Sequence, residues 1–384
     1  MSEDWVAVIL AGGIGSRLFP LTQEKPKPML EIANRPMIDY AINLVMDAGI
    51  KKIIIAVKYK GNLIREWVDK QIAKGYFQDC EIIIPEIDSK DTADVLRQIS
   101  NYDRSLLDGN IVITMADIVT NMKLKDAMNF HMKHPNNPIA TICLKPVETP
   151  GQFGLTMLDN DNKIHLFLEK PTPNELLMTT KMFIGKKATR SLQHNLANIG
   201  IYVFDNELVD IIMKHSELMD FGSNVFPYLL DHKYDVRGYL SNPYWVDAGI
   251  HEKYIWANND VLKKKSKPYL ARENERNEFE FIGENVEIGD GCIITPPVLI
   301  GDNCRIDSNS IIGPYVSLGK NIQIGKKVKI TNSIVMDNVS IIKDGSIDKC
   351  ILSENVNIET SDHQYKMVVP SNIKLIQTNN DYRY

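Results

Sequence analysis

The sequence predicts an α/β protein: a mostly parallel sheet with helices on both faces, continued by a solenoid of short parallel strands. Three observations carry this. Residues 1 to about 262 alternate short β-rich runs with stretches of helical period. From about Glu280 onward, apolar residues recur every six positions. Between them lies KKKSKPYLARENERNE (263–278), a charged stretch without clear period. The expected divisions are 1–262, a linker at 263–279, and a solenoid domain at 280–384.

The elements follow in order. VAVIL (6–10) is apolar throughout, as a strand buried on both faces must be. Pro36 to Ala48 places Met37, Ile38, Ala41, Ile42, Leu44 and Val45 on one helical face. KKIIIAV (51–57) is a second buried strand, followed by the helix IREWVDKQI (64–72). EIIIP (81–85), the helix TADVLRQI (92–99) and NIVITMAD (110–117) continue the alternation. Strand followed by helix implies parallel pairing with helices covering the sheet.

The second grammar runs Ile282, Ile288, Ile294, Ile300, Ile306, Ile312, Leu318, Ile324, Ile330, Met336 and Ile342. Gly follows at 283, 289, 301, 313, 319 and 325. A period of six fits no helix face. It fits short strands with a turn at each corner of a prism, isoleucines stacked inward. This resembles the hexapeptide repeats of left-handed parallel β-helices. Between 280 and 360 there is no His, which argues against acetyl transfer on the solenoid. Assembly is its expected role, through a homodimer or tetramer.

Composition narrows the function. A chain of 384 residues accommodates two domains. Its net charge of −5 leaves no overall footprint for nucleic acid or anionic membrane. No apolar run approaches the ~20 residues that span a bilayer. The five cysteines include no C-x-x-C pair, so reduced thiols are expected. MSEDWVAVILAGG carries two acids where a signal peptide would carry positive charge. A cytoplasmic protein is the expectation.

Chemistry concentrates after the first strand, in LAGGIGSRLFPLTQEKPKPMLEI (10–32). Gly12, Gly13 and Gly15 let backbone N–H groups approach phosphates, and Arg17 and Lys27 add positive charge. Asp117 ends an apolar strand, where open parallel sheets bind ligands. Asp247 follows Trp245 far along the chain. Magnesium commonly takes one or two carboxylates and fills its remaining positions with water and phosphate oxygens.

The complete string Gly12-Gly13-Ile14-Gly15-Ser16-Arg17-Leu18-Phe19-Pro20-Leu21-Thr22, then Pro26-Lys27-Pro28-Met29-Leu30, resembles the signature of nucleotide-sugar pyrophosphorylases. Phe153-Gly154, Glu169-Lys170-Pro171, the strand Asn198 to Phe204, and Trp245-Val246-Asp247-Ala248-Gly249 follow in the family's order. The resemblance covers nearly the whole chain and looks closest to the mannose-1-phosphate guanylyltransferase branch. It implies a Rossmann-like catalytic domain, a left-handed β-helix and a magnesium-dependent reaction. A nucleoside triphosphate and a sugar 1-phosphate would give a nucleotide sugar and pyrophosphate. It implies that Arg17 and Lys27 grip the triphosphate, with Asp117 catalytic. Leu10, Gly12, Gly13, Gly15, Glu86 and Thr92 would surround the nucleotide. Gly154, Glu169, Lys170 and Asn198 would hold the sugar phosphate, and Asp117 and Asp247 the metal.

Glu86 follows Pro85 in the stretch that reads the base in the family, and a carboxylate suits the two adjacent donors of guanine. GDP-mannose is therefore the expected product. Glucose 1-phosphate with ATP, UTP or dTTP is the alternative. The chain departs from the family's pattern: Ala116 precedes Asp117 where Gly is usual, Ile118 to Asn121 lacks the usual second acid, Asp91 precedes Thr92-Ala93 where Gly is usual, and the W-x-D-I-G-T element is altered at Ala248 and Ile250. Ala116 and Asp91 motivate a rival, a regulatory subunit that binds a nucleotide sugar without making it. Residues 172–197 form a long insertion with Lys181, Lys186, Lys187 and Arg190, read as a loop or a cationic flap.

Overall fold

The computed structural model describes residues 5–77, 79–147, 155–169, 172, 174, 193–268, 270, 274–342 and 344–376. Contacts divide the chain into two compact units, Met1–Gly13 with Ala41–Trp245, and Ile14–Tyr40 with Val246–Tyr384. The glycine-rich loop is thus cut after its second glycine. The segment carrying Arg17 and Lys27 belongs to the unit that contains the repeats.

The first unit is built on one sheet. Its strands are β1 (Trp5–Ala11), β2 (Lys52–Val57), β3 (Glu81–Ile83), β4 (Asn110–Met115), β5 (Ala140–Pro146), β6 (Leu155–Leu158), β7 (Ile164–Leu168), β8 (Gln193–Phe204) and β9 (Val236–Leu240). The spatial order is β7-β6-β8-β4-β1-β2-β3, with β5 pairing β8 and β9. The sheet is mixed. β3, β2, β1 and β4 run parallel, as the apolar runs predict. The long β8 runs antiparallel to β4, β5 and β6. Residues Val6 to Ala11 are all buried, and Val6, Val8 and Leu10 share one hydrophobic cluster with Val95, Leu96 and Ile99 of α3 (Asp94–Tyr102). Each buried Val, Ile or Leu contributes about 1.5–3 kcal/mol relative to exposure. A strand with one polar face would forgo half of that.

After β3 the chain returns to place β4 on the other side of β1. The gap between the carboxyl ends of β1 and β4 is therefore a topological switch point, the usual ligand site of an open α/β sheet. The glycine turn leaves β1 there, and Asp117 follows β4.

In the second unit, among the described residues, sheets of seven, six and five strands, parallel throughout except for the first strand of the seven, form the left-handed β-helix. The charged stretch after α7 (His251–Leu262) leads into a short strand, Glu275–Asn277, paired antiparallel with Glu280–Ile282. Val298, Ile300, Ile306, Ile312, Leu318, Ile324 and Ile330 stack in the core. The six-residue register then slips. Leu318 pairs with Val335 and Ile324 with Ile341, so the coil shortens by one residue. This corrects the last two members of the series. Ile341 points inward at 2% exposure, whereas Ile342 is 53% exposed. Met336 is buried but yields its ladder position to Val335. The shortening falls between Ile330 and Val335, at the Thr331-Asn332-Ser333 corner.

Candidate active site

In the first unit, a cavity of ≈ 210 Å³ opens at the switch point, lined by Leu10, Gly12, Gly13, Lys58, Asp91 and Thr92 among others. A Cβ on Gly12 would lie 3.3 Å from Lys58 Cβ, while nothing lies within 4 Å of one on Gly13. The open side at Gly13 leaves the backbone accessible to a ligand. Thr92 is fixed rather than free: its hydroxyl donates to Asp220 Oδ2 at 2.7 Å and accepts from the Phe221 N–H at 3.0 Å. Asp94, 2% exposed, pairs with Arg97 at 2.5 Å. Burial acts to raise the Asp94 carboxyl, but hydrogen bonds from the Lys90 backbone and from Arg97, with the Arg97 charge, together hold it below its usual range.

Lys58 is the residue that sequence reasoning missed. Its ammonium pairs with Asp88 at 2.8 Å and donates to Ser89 O at 3.0 Å. It forms a shared rim between this cavity and a second hollow of ≈ 600 Å³. Glu86 lies exposed in the second hollow, with Pro85, Lys60 and Arg65. Lys58 lines both hollows, and Glu86 lines the second. The only signal for Lys58 was its place one residue past β2, at the sheet's carboxyl edge.

Asp117 is partly buried in the turn after β4. Ala116 N–H donates to Leu10 O at 3.0 Å, tying this turn to the end of β1. Ala116 is 1% exposed, so its methyl group is enclosed by protein. Thr120 and Asn121 bond to Tyr244, and the Trp245 indole donates to Ile199 O at 3.1 Å. These bonds fix the chain two residues before Asp247.

Two of the expected sugar residues, Asn198 and Glu169, lie near a β-bulge in β8. Asn198 Oδ1 accepts from Gly200 N–H at 2.9 Å, and its amide donates to Tyr202 Oη at 2.8 Å. Gly200 takes φ +75°, where a Cβ would also press on Ile118 and Met115. Burial first, then the charges of Glu169 and Asp220, push the Tyr202 hydroxyl far above its usual range, although Asn198 opposes this. Glu169 packs on Gly222, whose Cβ would fall 2.6 Å from Glu169 Oε2. Glu169, Asn198 and Tyr202 thus share one neighbourhood. Gly154 and Lys170 lie outside the described residues, as does 175–192 of the cationic insertion.

In the second unit, Gly15 has φ +72°, and a Cβ there would lie 2.8 Å from Lys27 Cβ. Thr22 Oγ1 donates to Gly15 O at 3.1 Å, and His251 Nε2 lies 3.2 Å from Leu18 O. This tight strap presents an exposed Arg17 and a Lys27 whose side chain is 9% exposed. Lys27 Nζ is 3.5 Å from Asp247 Oδ1. A Cβ on Gly249 would stand 2.8 Å from Asp247 Oδ1, 3.0 Å from Arg17 Nη2 and 3.3 Å from Lys27 Nζ. Three charged side chains therefore converge on one glycine.

Carboxylate oxygens are the ligand type that magnesium takes. Among the described residues no cluster of three or more His, Cys, Asp or Glu could hold an ion. Asp247 Oδ1 is buried and stands 3.5 Å from Lys27 Nζ. A hard oxygen ligand of this kind fits magnesium, which needs few protein ligands.

Residues 6–264 match the model of the nucleotidyl transferase family, and residues 294–374 match that of the GMPPB C-terminal domain. The chain belongs to the nucleotidyl transferase family. It is an enzyme of that class, and the resemblance to nucleotide-sugar pyrophosphorylases with C-terminal hexapeptide repeats is borne out. It is 26% identical over 301 residues to mannose-1-phosphate guanylyltransferase 1 of Arabidopsis thaliana, covering 77% of this chain and 76% of that protein. It is 29% identical over 304 residues to mannose-1-phosphate guanyltransferase of Pichia angusta, covering 74% and 73%. Glucose-1-phosphate adenylyltransferase of Trichlorobacter lovleyi is 26% identical over 288 residues, covering 68% and 67%. No described helix is long and apolar enough to cross a membrane.

Proposed function

We propose that this chain joins a sugar 1-phosphate to a nucleoside triphosphate with release of pyrophosphate, and that its product is GDP-mannose. The carrying observation is the convergence of Arg17, Lys27 and Asp247 on Gly249. Two polyanions must approach each other, so the protein's task is charge neutralisation and alignment. An oxygen of the sugar phosphate, already ionised at neutral pH, attacks the α-phosphorus in line. The bond to the β-phosphate bridging oxygen breaks and pyrophosphate leaves. No protein nucleophile is required. Arg17 and Lys27 neutralise the triphosphate, while Glu169 and Asn198 orient the sugar. Magnesium, when bound, supplies further charge neutralisation, with Asp247 and Asp117 as the candidate carboxylates.

Mannose and guanine are favoured by the names of the relatives and by Glu86, which can accept from both donors of the guanine edge. Glucose 1-phosphate with ATP, UTP or dTTP is the second choice, since relatives named glucose-1-phosphate adenylyltransferase match nearly as much of the chain. Asp91, exposed at the rim of the small cavity, favours the rival regulatory subunit. Assembly through the solenoid, as a dimer or tetramer, is part of the proposal.

The test is pyrophosphate release from GTP, ATP, UTP and dTTP with mannose, glucose and N-acetylglucosamine 1-phosphates, with and without magnesium. Asp117→Ala should abolish turnover while thermal unfolding stays close to wild type. Equal product from the variant would remove Asp117 from the chemistry. A wild-type chain that binds nucleotide sugars but releases no pyrophosphate would establish the regulatory reading instead.

A further inference from the structure

The strap from Ile14 to Tyr40 is fastened along its length by its own unit. Near its end it makes a hairpin of Glu31–Ile32 and Arg35–Pro36, turning through Ala33 and Asn34 at φ 49° and 58°. Helix α7 holds one side of that hairpin: Asn258 Oδ1 accepts from Ala33 N–H at 2.9 Å, and the Tyr254 hydroxyl donates to Glu31 O. The β-helix holds the rest. Asn34 Nδ2 donates to Leu318 O at 2.7 Å, and Lys25 pairs with Glu354. Glu354 is itself set by Ser371, whose hydroxyl donates to it at 3.1 Å. Lys25 sits two residues before Lys27, with only Pro26 between them, and Pro26 has little freedom in φ.

We propose that Lys25 and Glu354 are positioning residues for the transferase reaction: their ion pair makes the β-helix set where the strap presents Lys27 and Arg17. The inference rests on the triphosphate role given to those two side chains above. Neither partner touches substrate in this assignment. Its geometry is unlike that of a surface pair. The side chains are 31% and 18% exposed, Glu31, Asp337 and Lys320 stand nearby, and the partners come from opposite ends of the chain. An exposed pair would contribute little, but a sheltered charge-assisted bond is worth more. The solenoid therefore acts on the reaction directly, besides any part in assembly.

The experiment compares full-length wild type, Glu354→Gln, Lys25→Met and Lys25→Arg. A purely structural loss lowers the active fraction, so kcat falls while both KM values stay put. Loss of positioning instead raises KM for the triphosphate, by roughly tenfold, and leaves KM for the sugar phosphate unchanged. Glu354→Gln and Lys25→Met should show that split, and Lys25→Arg should restore wild-type values. Unchanged triphosphate KM in Glu354→Gln would overturn the proposal. Should the wild type release no pyrophosphate, the functional reading falls and amide hydrogen exchange across residues 14–30 decides this one. Faster exchange in Glu354→Gln supports the fastening, and unchanged exchange overturns it.

Discussion

At the scale of single residues, Gly249 and Gly15 show two different reasons for glycine. Gly249 carries no left-handed strain, but a Cβ would meet the mobile ends of Arg17, Lys27 and Asp247. Those ends can swing away, so Gly249→Ala should keep its melting temperature within a few degrees while kcat/KM falls roughly tenfold or more through misplacement. Unaltered kinetics would detach the cluster from catalysis. Gly15 combines φ +72° with a Cβ clash against the base of Lys27, which cannot swing, so substitution there costs the fold as well. Glu31 offers a pH test. Burial raises its carboxyl to about 7; Asp337 and Glu354 add to the rise, while Lys25 and Lys320 oppose it. A carboxyl that titrates higher folded than unfolded favours the folded state at low pH, and that support is lost as pH climbs from about 4.5 to 7. Glu31→Gln, fixed in the neutral form, should therefore melt higher than wild type at pH 8.5, with the gap closing by pH 5. A gap that is constant with pH would mean Glu31 does not titrate in this range.

At the scale of elements, the β-helix corners carry a ladder that the apolar period conceals. Asn285, Asn303, Asn321, Asn338, Asn355 and Asn372 all take φ between 54° and 64°. Each but the last donates its side-chain amide to the next, at 2.9 to 3.3 Å. Asn tolerates the left-handed region better than other non-glycine residues and supplies a donor and an acceptor at once. Asn321→Ala loses both ladder bonds and pays the backbone strain, whereas Asn321→Gly loses the bonds alone. The alanine variant should be less stable than the glycine variant by roughly 1 kcal/mol, read from the denaturant midpoint of the solenoid transition. Equal midpoints would discount the left-handed strain. The period of six was legible as far as Ile330 because each inward residue repeats one physical demand. Beyond it, a single shortened corner shifts every later residue, and Ile342 is apolar enough to sustain the wrong register. β1, β2 and β4 were legible because strands buried on both faces are uniformly apolar. The antiparallel course of β8 was not, because pairing partners leave no local period. Lys58 escaped for a similar reason: an isolated lysine acquires meaning only from the Asp88 and Ser89 that the fold brings to it.

At the scale of the molecule, the division of contacts cuts across the division of the sequence. Residues 6–264 form one matched family region, yet Ile14–Tyr40 and Val246–Leu262 share a compact unit with the repeats. The glycine turn and the first sheet strands were legible from the sequence, because each has a characteristic order of residue types. Which unit supports the strap was not legible, since Lys25 and Glu354 are separated by more than three hundred positions and neither belongs to a motif. A chain ending at Leu262 tests the consequence. It would keep every strand of the main sheet, and it would keep the Tyr254 and Asn258 bonds to the hairpin. It would lose Glu354 and the Leu318 carbonyl, leaving Lys25 and Asn34 without these partners. If the first unit folds on its own core, the truncated chain should retain most of its far-ultraviolet helix and strand signal. Its strap should exchange amide hydrogens faster than in the full chain, and its kcat/KM for triphosphate should fall by roughly tenfold or more. Full activity from the shortened chain would show that α7 alone sets the strap and would confine the β-helix to assembly.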